Sequence, residues 1–373
     1  MTRMADRVQK QKSSQFGTGF STWRFLQLFL VAWALKAGQP APPQSPPSIT
    51  QTPKAAARVI IVQSSRAMIF FQPQAPVLEA MVQRGVAALT GKTNAAAWLS
   101  LVGTQDVIGI KVYSAPGSHG GTRPAVAAAV ARCLLNAGIP PRQIVLWDKK
   151  MSDLKAAGYD VLAAELGIRL ISAQEAGYDE NVFYEKNLIG TPLYGDLEFG
   201  RSGPDIGRRS YYSKLVTREL TKIINIAPLL NHNDAGVSGL LYSLAMGSVD
   251  NTMRFSKERQ LLWEAVAEIY NQRELADHVV LNITDALICQ YEGQGRLLLQ
   301  YSDILNELRF SRDPVALDTL SFDELLRRRA ARGYPPLKFT PKICANATEL
   351  ELGVSDLKQI NVETIYEPGP PIR

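Results

Sequence analysis

Short β-branched runs alternate with stretches of helical periodicity along most of this chain. Val59–Gln63 predicts a first strand, and helical patterns follow over Val77–Leu89 and Ala95–Leu101. The most legible unit comes next: a strand at Val107–Tyr113 (VIGIKVY), a Gly-rich loop at Ser114–Gly121, a helix at Ala125–Ala137 and a strand at Gln143–Asp148 (QIVLWD). Thr122 is placed to cap that helix, Pro124 suits its first turn, and Gly138 with Pro140 closes its end. Strand, helix and strand at this spacing require a parallel crossover of Rossmann-like type. The fold class is therefore α/β, a mainly parallel sheet with flanking helices, in one core or two lobes.

Beyond Asp148 the alternation is less regular. Strands are predicted at Arg169–Ser172, Leu220–Ala227 and His278–Thr284, and helices at Gly239–Ala245, Gln260–Tyr270 and Val315–Arg332. Asn187–Ser213 is rich in Gly, Tyr and Arg, which suits a long ordered loop or hairpin over the sheet, and loops of this length are often lids.

Composition changes this picture mainly at the N-terminus. The chain of 373 residues is 46% hydrophobic and 20% charged, which excludes both a disordered chain and a multi-span membrane protein. Its formal charge of +6 invites a nucleic-acid reading. Residues 1–41, however, hold Arg3, Arg7, Lys10, Lys12, Arg24 and Lys36 against Asp6 alone, so five of the six net charges sit there. The nearly neutral remainder argues against nucleic acid as a partner.

The same segment, with basic residues before the apolar run Phe25–Leu35 and small residues around Ala37 and Ala41, suits a signal peptide or an N-terminal anchor. Residues 42–54 then form a Pro-rich linker, and 55–373 the α/β domain. The expectation is an exported protein of the periplasm or cell envelope, touching a membrane only through this N-terminal segment. Three separated cysteines with no CxxC argue against an iron–sulfur cluster, and in an oxidising compartment one pair could form a disulfide.

Ligands of open parallel sheets collect outside the carboxyl ends of the strands. Mapping polar residues to those ends gives Lys111, Asp148, His232 with Asn233 and Asp234, and Asp285. His232, Asp234 and Asp285 could hold a divalent metal; alternatively His232 is a general base oriented by a carboxylate. Lys111 and Arg123 would neutralise a small anionic substrate. The Gly117–Pro124 segment could present backbone N–H groups to an anion, with His119 beside it. It matches neither a Walker loop nor a GxGxxG fingerprint, and no GxSxG elbow exists. Taken singly, each residue has an equally good structural role as a cap, a turn former or an ion-pair partner.

The stretches VIGIKV at 107–112, KIINIAPLLNHNDAGVSG at 222–239 and DPVALDTL at 313–320 resemble the bacterial domain of unknown function 362, in its exported form without a ferredoxin segment. Departures accompany the resemblance: the family's Thr-His-Pro step is Thr122, Arg123 and Pro124 here, a usual lysine is Leu230, and a Leu-Lys-Asn step is Leu241, Tyr242 and Ser243. The Thr-Arg-Pro step with its following helix also faintly resembles the amino-terminal domain of the nickel-pincer lactate racemase family. Together these readings give an exported, metal-assisted enzyme for a small anionic substrate, with His232, Asp285 and Lys111 catalytic and Arg123, His119, Asn233 and Asp148 binding. The alternative is a non-catalytic binding protein, or an accessory subunit with a protein partner in an envelope complex.

Overall fold

Strands with no polar face must be covered on both sides, and Ile108–Lys111, Ile144–Asp148 and most of Lys222–His232 are buried throughout in the computed structural model. It describes residues 56–293 and 297–368; the expected leader at 1–41 and the linker at 42–54 lie outside them.

In chain order the elements begin with β1 (Ala57–Gln63), a tight hairpin of β2 (Met68–Ile69) and β3 (Gln72–Pro73), α1 (Ala75–Thr90) and α2 (Asn94–Leu99). The crossover unit is β4 (Ile108–Lys111), the single turn α3 (Gly117–Gly120), α4 (Pro124–Asn136) and β5 (Ile144–Asp148). Then come α5 (Met151–Ala156), α6 (Tyr159–Leu166), β6 (Arg169–Ser172), α7 (Ala173–Ala176), and a two-stranded ribbon of β7 (Tyr178–Glu185) and β8 (Arg209–Ser213). The second half holds β9 (Lys222–His232), β10 (Gly236–Val237), α8 (Leu240–Ser248), α9 (Arg259–Tyr270), α10 (Arg273–Ala276), β11 (Val279–Gln290), β12 (Ser302–Ser311), α11 (Pro314–Ala331), α12 (Ile343–Glu349) and β13 (Ile360–Tyr366).

One sheet runs β13-β1-β12-β11-β9-β4-β5-β6, with β10 folded back onto β9. Every pairing is parallel except those made by β12 and β10. The protein is thus α/β, and residues from Pro53 onward form one unit, so the two-lobed arrangement is not adopted. From β4 the chain steps outward to β5 and β6, then resumes on the other side of β4 with β9 and β11. Such a reversal of strand order leaves a crevice outside the carboxyl ends. One core packs α1, α2, α4 and α6 on one face of the sheet, and another packs α8, α9 and α12 on the opposite face.

Several expectations need correction. Thr122 does not cap α4: Arg123 holds the N-cap position, while the buried Thr122 hydroxyl donates to the Ile226 carbonyl and accepts from the Tyr113 amide. The strands expected to end at Ala227 and Thr284 run on to His232 and Gln290. No disulfide forms, and all three cysteines are free. Among the described residues no helix is long and apolar enough to cross a membrane.

The packing of α1 on β12 is tight enough to test. A Cβ on Gly85 would fall 2.3 Å from the ring of the fully buried Phe310. Gly85→Ala gains about 1 kcal/mol of helix propensity, but overpacking a rigid core costs about 1–3 kcal/mol. Net destabilisation of about 1 kcal/mol is expected by urea unfolding; a stabilised variant would show that the contact is loose.

Candidate functional site

The charged residues assigned to the carboxyl edge are buried, and a buried charge persists only when paired and hydrogen-bonded. Lys111, at the end of β4, is fully buried; its Nζ lies 2.9 Å from Asp148 Oδ1 at the end of β5. It also donates to the Ser243 hydroxyl of α8 at 3.1 Å and to the Val112 carbonyl at 2.6 Å. Burial lowers the Lys111 pKa, with Asp148 opposing the shift. The second oxygen of Asp148 accepts from the Ser114 amide and hydroxyl at 2.8 and 2.7 Å. α8 comes so close that a Cβ on Gly247 would meet Lys111 Cε at 2.5 Å. Glycine is therefore needed there.

Arg123 and Asp285 form a second buried pair at 2.8 Å. The other Asp285 oxygen accepts from the Arg123 backbone amide at 2.9 Å, so one carboxylate fixes both the start of α4 and its N-cap side chain. Asp285 sits within β11, opposite Pro228 of β9 and Leu308 of β12, rather than just beyond a strand end.

His232 stands elsewhere. It ends β9, four positions past Pro228, where the chain turns back into β10. Its Nδ1 accepts from the backbone amides of Asp234 and Ala235 at 3.2 and 3.0 Å, and its ring packs on Tyr242 with centroids 4.5 Å apart. Burial pushes its pKa down to about 4, against a smaller opposing effect of Asp234, so it is neutral near pH 7. Asp234 pairs with Arg259 at 2.8 Å, and Asn233 is an exposed turn residue.

The proposed metal set of His232, Asp234 and Asp285 is therefore corrected. Each carboxylate is engaged by a different arginine, and the imidazole Nδ1 by the backbone. Among the described residues no three His, Cys, Asp or Glu side chains cluster to hold a metal ion. His119 is apart again: its Nδ1 lies 2.8 Å from the Ser118 hydroxyl, beside a mostly apolar groove with Phe71, Arg123, Ile288 and Leu299.

A cleft of ≈ 370 Å³ does open at the carboxyl ends of β4, β5 and β6, within the 300 to 1,000 Å³ range typical of small-molecule sites. Asp148 and Ser243 form part of its floor; Lys149, Lys150 and Asp153 follow β5, and Gln174 follows β6. Tyr242, Met246 and Gly247 of α8 supply a wall. The segment between β7 and β8, expected as a lid, reaches the cleft through Leu193, Tyr194 and Asp196. It is anchored by the buried Arg254, whose guanidinium donates to the Tyr184, Lys186, Leu188 and Arg208 carbonyls and to the Ser210 hydroxyl.

Lys149 is the functional candidate that pattern reasoning missed. It is half-buried, and its Nζ donates to Thr252 Oγ1 at 2.9 Å, with no ion pair to any described carboxylate. The acids that act on it are occupied. Asp196 accepts from the Leu193 and Asn251 amides, and Asp250 from those of Leu197 and Tyr211. Burial brings the Lys149 pKa down to about 8, against the opposing pull of Asp196 and Asp250. The sequence offered one available signal: Lys149 directly follows a strand-ending aspartate.

The fold is α/β, and this cleft at a parallel-sheet edge is of small-molecule size. No family model matches the chain, and no curated protein matches it. A solved structure of a protein from Thermotoga maritima aligns at a TM-score of 0.34 and 12% identity, over 74% of this chain and 60% of that one. The chain thus spans less than two thirds of that protein.

The Arg123–Asp285 pair yields a direct test. Neutralising one member of a buried pair costs about 3–5 kcal/mol because the other charge is stranded. Asp285→Asn is expected to lose about 3 kcal/mol in denaturant unfolding, and adding Arg123→Met to recover much of it. A loss below about 1 kcal/mol, or strictly additive effects, would mean that the pair is not coupled as described.

Proposed function

We propose that this protein binds and acts on a small anionic substrate in the cleft at the ends of β4, β5 and β6, with Lys149 as the counter-charge. The observation that carries this reading is the unpaired state of the Lys149 ammonium, which has three N–H donors and one protein acceptor. Two donors remain for a ligand. A half-buried cation whose neighbouring acids are spent on backbone amides is a poor device for stability and a good one for receiving an anion. Metal assistance through His232, Asp234 and Asp285 is not part of the reading, because those side chains have other partners.

The three stretches that resemble the domain of unknown function 362 fall on β4, on β9 through β10, and on the start of α11. In the last, Asp318 accepts from the Leu240 and Leu241 amides and so holds the start of α8, the helix that walls the cleft. A non-catalytic binding role is the second reading, favoured by the mutual neutralisation of Lys111 with Asp148 and Arg123 with Asp285.

Titration calorimetry with acetate and with inorganic phosphate tests the reading, and Lys149→Met is expected to weaken binding at least tenfold. The ammonium is the binding form, so affinity should hold below pH 8 and fall by about tenfold per pH unit well above it. Binding that ignores both the substitution and the pH would remove Lys149 from the site. Turnover of a bound substrate by the wild type separates enzyme from binding protein.

A further inference from the structure

The chemistry of Lys149 goes further than charge. Its nitrogen is fixed by the Thr252 hydroxyl, and the walls of the cleft include the apolar side chains of Leu193, Met246 and Met253. No described carboxylate forms an ion pair with the nitrogen, and the pull of Asp196 and Asp250 on its proton is outweighed by burial. Lys150, the next residue, is exposed and lines the same cleft, which supplies a second cation beside the first. The other buried lysine nearby, Lys111, is sealed by Asp148, Ser243 and the Val112 carbonyl and cannot serve as a nucleophile.

From this arrangement we propose that Lys149 forms an imine with a carbonyl ligand that also carries an acid group, of the 2-oxo acid class, with Lys150 receiving the carboxylate. The proposal rests on the reading of the cleft as an anion site and assigns the class of its ligand. The free amine of Lys149 attacks the carbonyl carbon and a C–N bond forms. The carbonyl oxygen leaves as water, taking up the two protons that the amine gives, and Asp153 lines the same cleft. No electrons are transferred. A lysine whose pKa is about 8 presents about 300-fold more free amine at pH 7 than one at the ordinary 10.5.

Reductive trapping tests this directly. The full chain is incubated at pH 7 with pyruvate or glyoxylate and cyanoborohydride, which delivers hydride to the imine carbon and leaves a stable secondary amine on the lysine. Peptide mass mapping is expected to find the adduct on Lys149 at least tenfold above Lys150 and every other lysine. Lys149→Arg, which has no primary amine, should lose the dominant adduct. Uniform labelling of surface lysines, or no adduct while acetate still binds the wild type, overturns the imine and leaves the anion site standing. Absence of both adduct and acetate binding overturns both.

Discussion

Charge balance at the carboxyl edge of the sheet is the constraint on which this structure turns. Lys111 and Arg123 are buried where strand, loop and helix ends converge, and neither could remain charged there without a carboxylate. Asp148 and Asp285 meet that need, and in doing so tie β4 to β5 and the start of α4 to β11. Such pairs add little net stability over apolar residues of the same shape, but each is costly to break singly. Their consequence is geometric: the crevice left by the reversal of strand order at β4 has a fixed, neutralised floor.

On that floor the next residue in sequence differs from its neighbours. Lys149 follows Asp148 by one position, yet its carboxylate neighbours Asp196 and Asp250 use their oxygens to hold the segment between β7 and β8 against the chain that follows α8. Arg254 reinforces the same anchoring through backbone carbonyls. These acids position the cover of the cleft and form no ion pair with Lys149. Folding energy and site chemistry are linked through these two aspartates.

Much of the architecture is written in local pattern. The unit from β4 to β5 is legible because its strands are continuous apolar runs and its helix begins with Pro124 and closes before Gly138. β12 and β13 were missed, since the alternating polar residues of SDILNELRFS and INVETIY carry no strong apolar run, and their pairing with β1 is set by distant sequence. For the site, mapping polar residues to strand ends led to Asp148, which borders the cleft, and to Lys111, which pairs with it. It misjudged roles, because whether a charge is free or satisfied depends on partners far away in sequence, such as Asp285 for Arg123 or Arg259 for Asp234. His232 failed for a related reason: β9 continues beyond Ala227 and carries the imidazole past the strand end expected for it.

The account stands on one claim, that the Lys149 amine sits desolvated and without a carboxylate partner in the cleft. Reductive ¹³C-methylation of the lysines, followed by NMR titration with Lys149→Arg to assign the resonance, measures this directly. Titration of the Lys149 methyl signal near pH 8 agrees with the account. A midpoint at or above pH 10, as for an ordinary surface lysine, would contradict it.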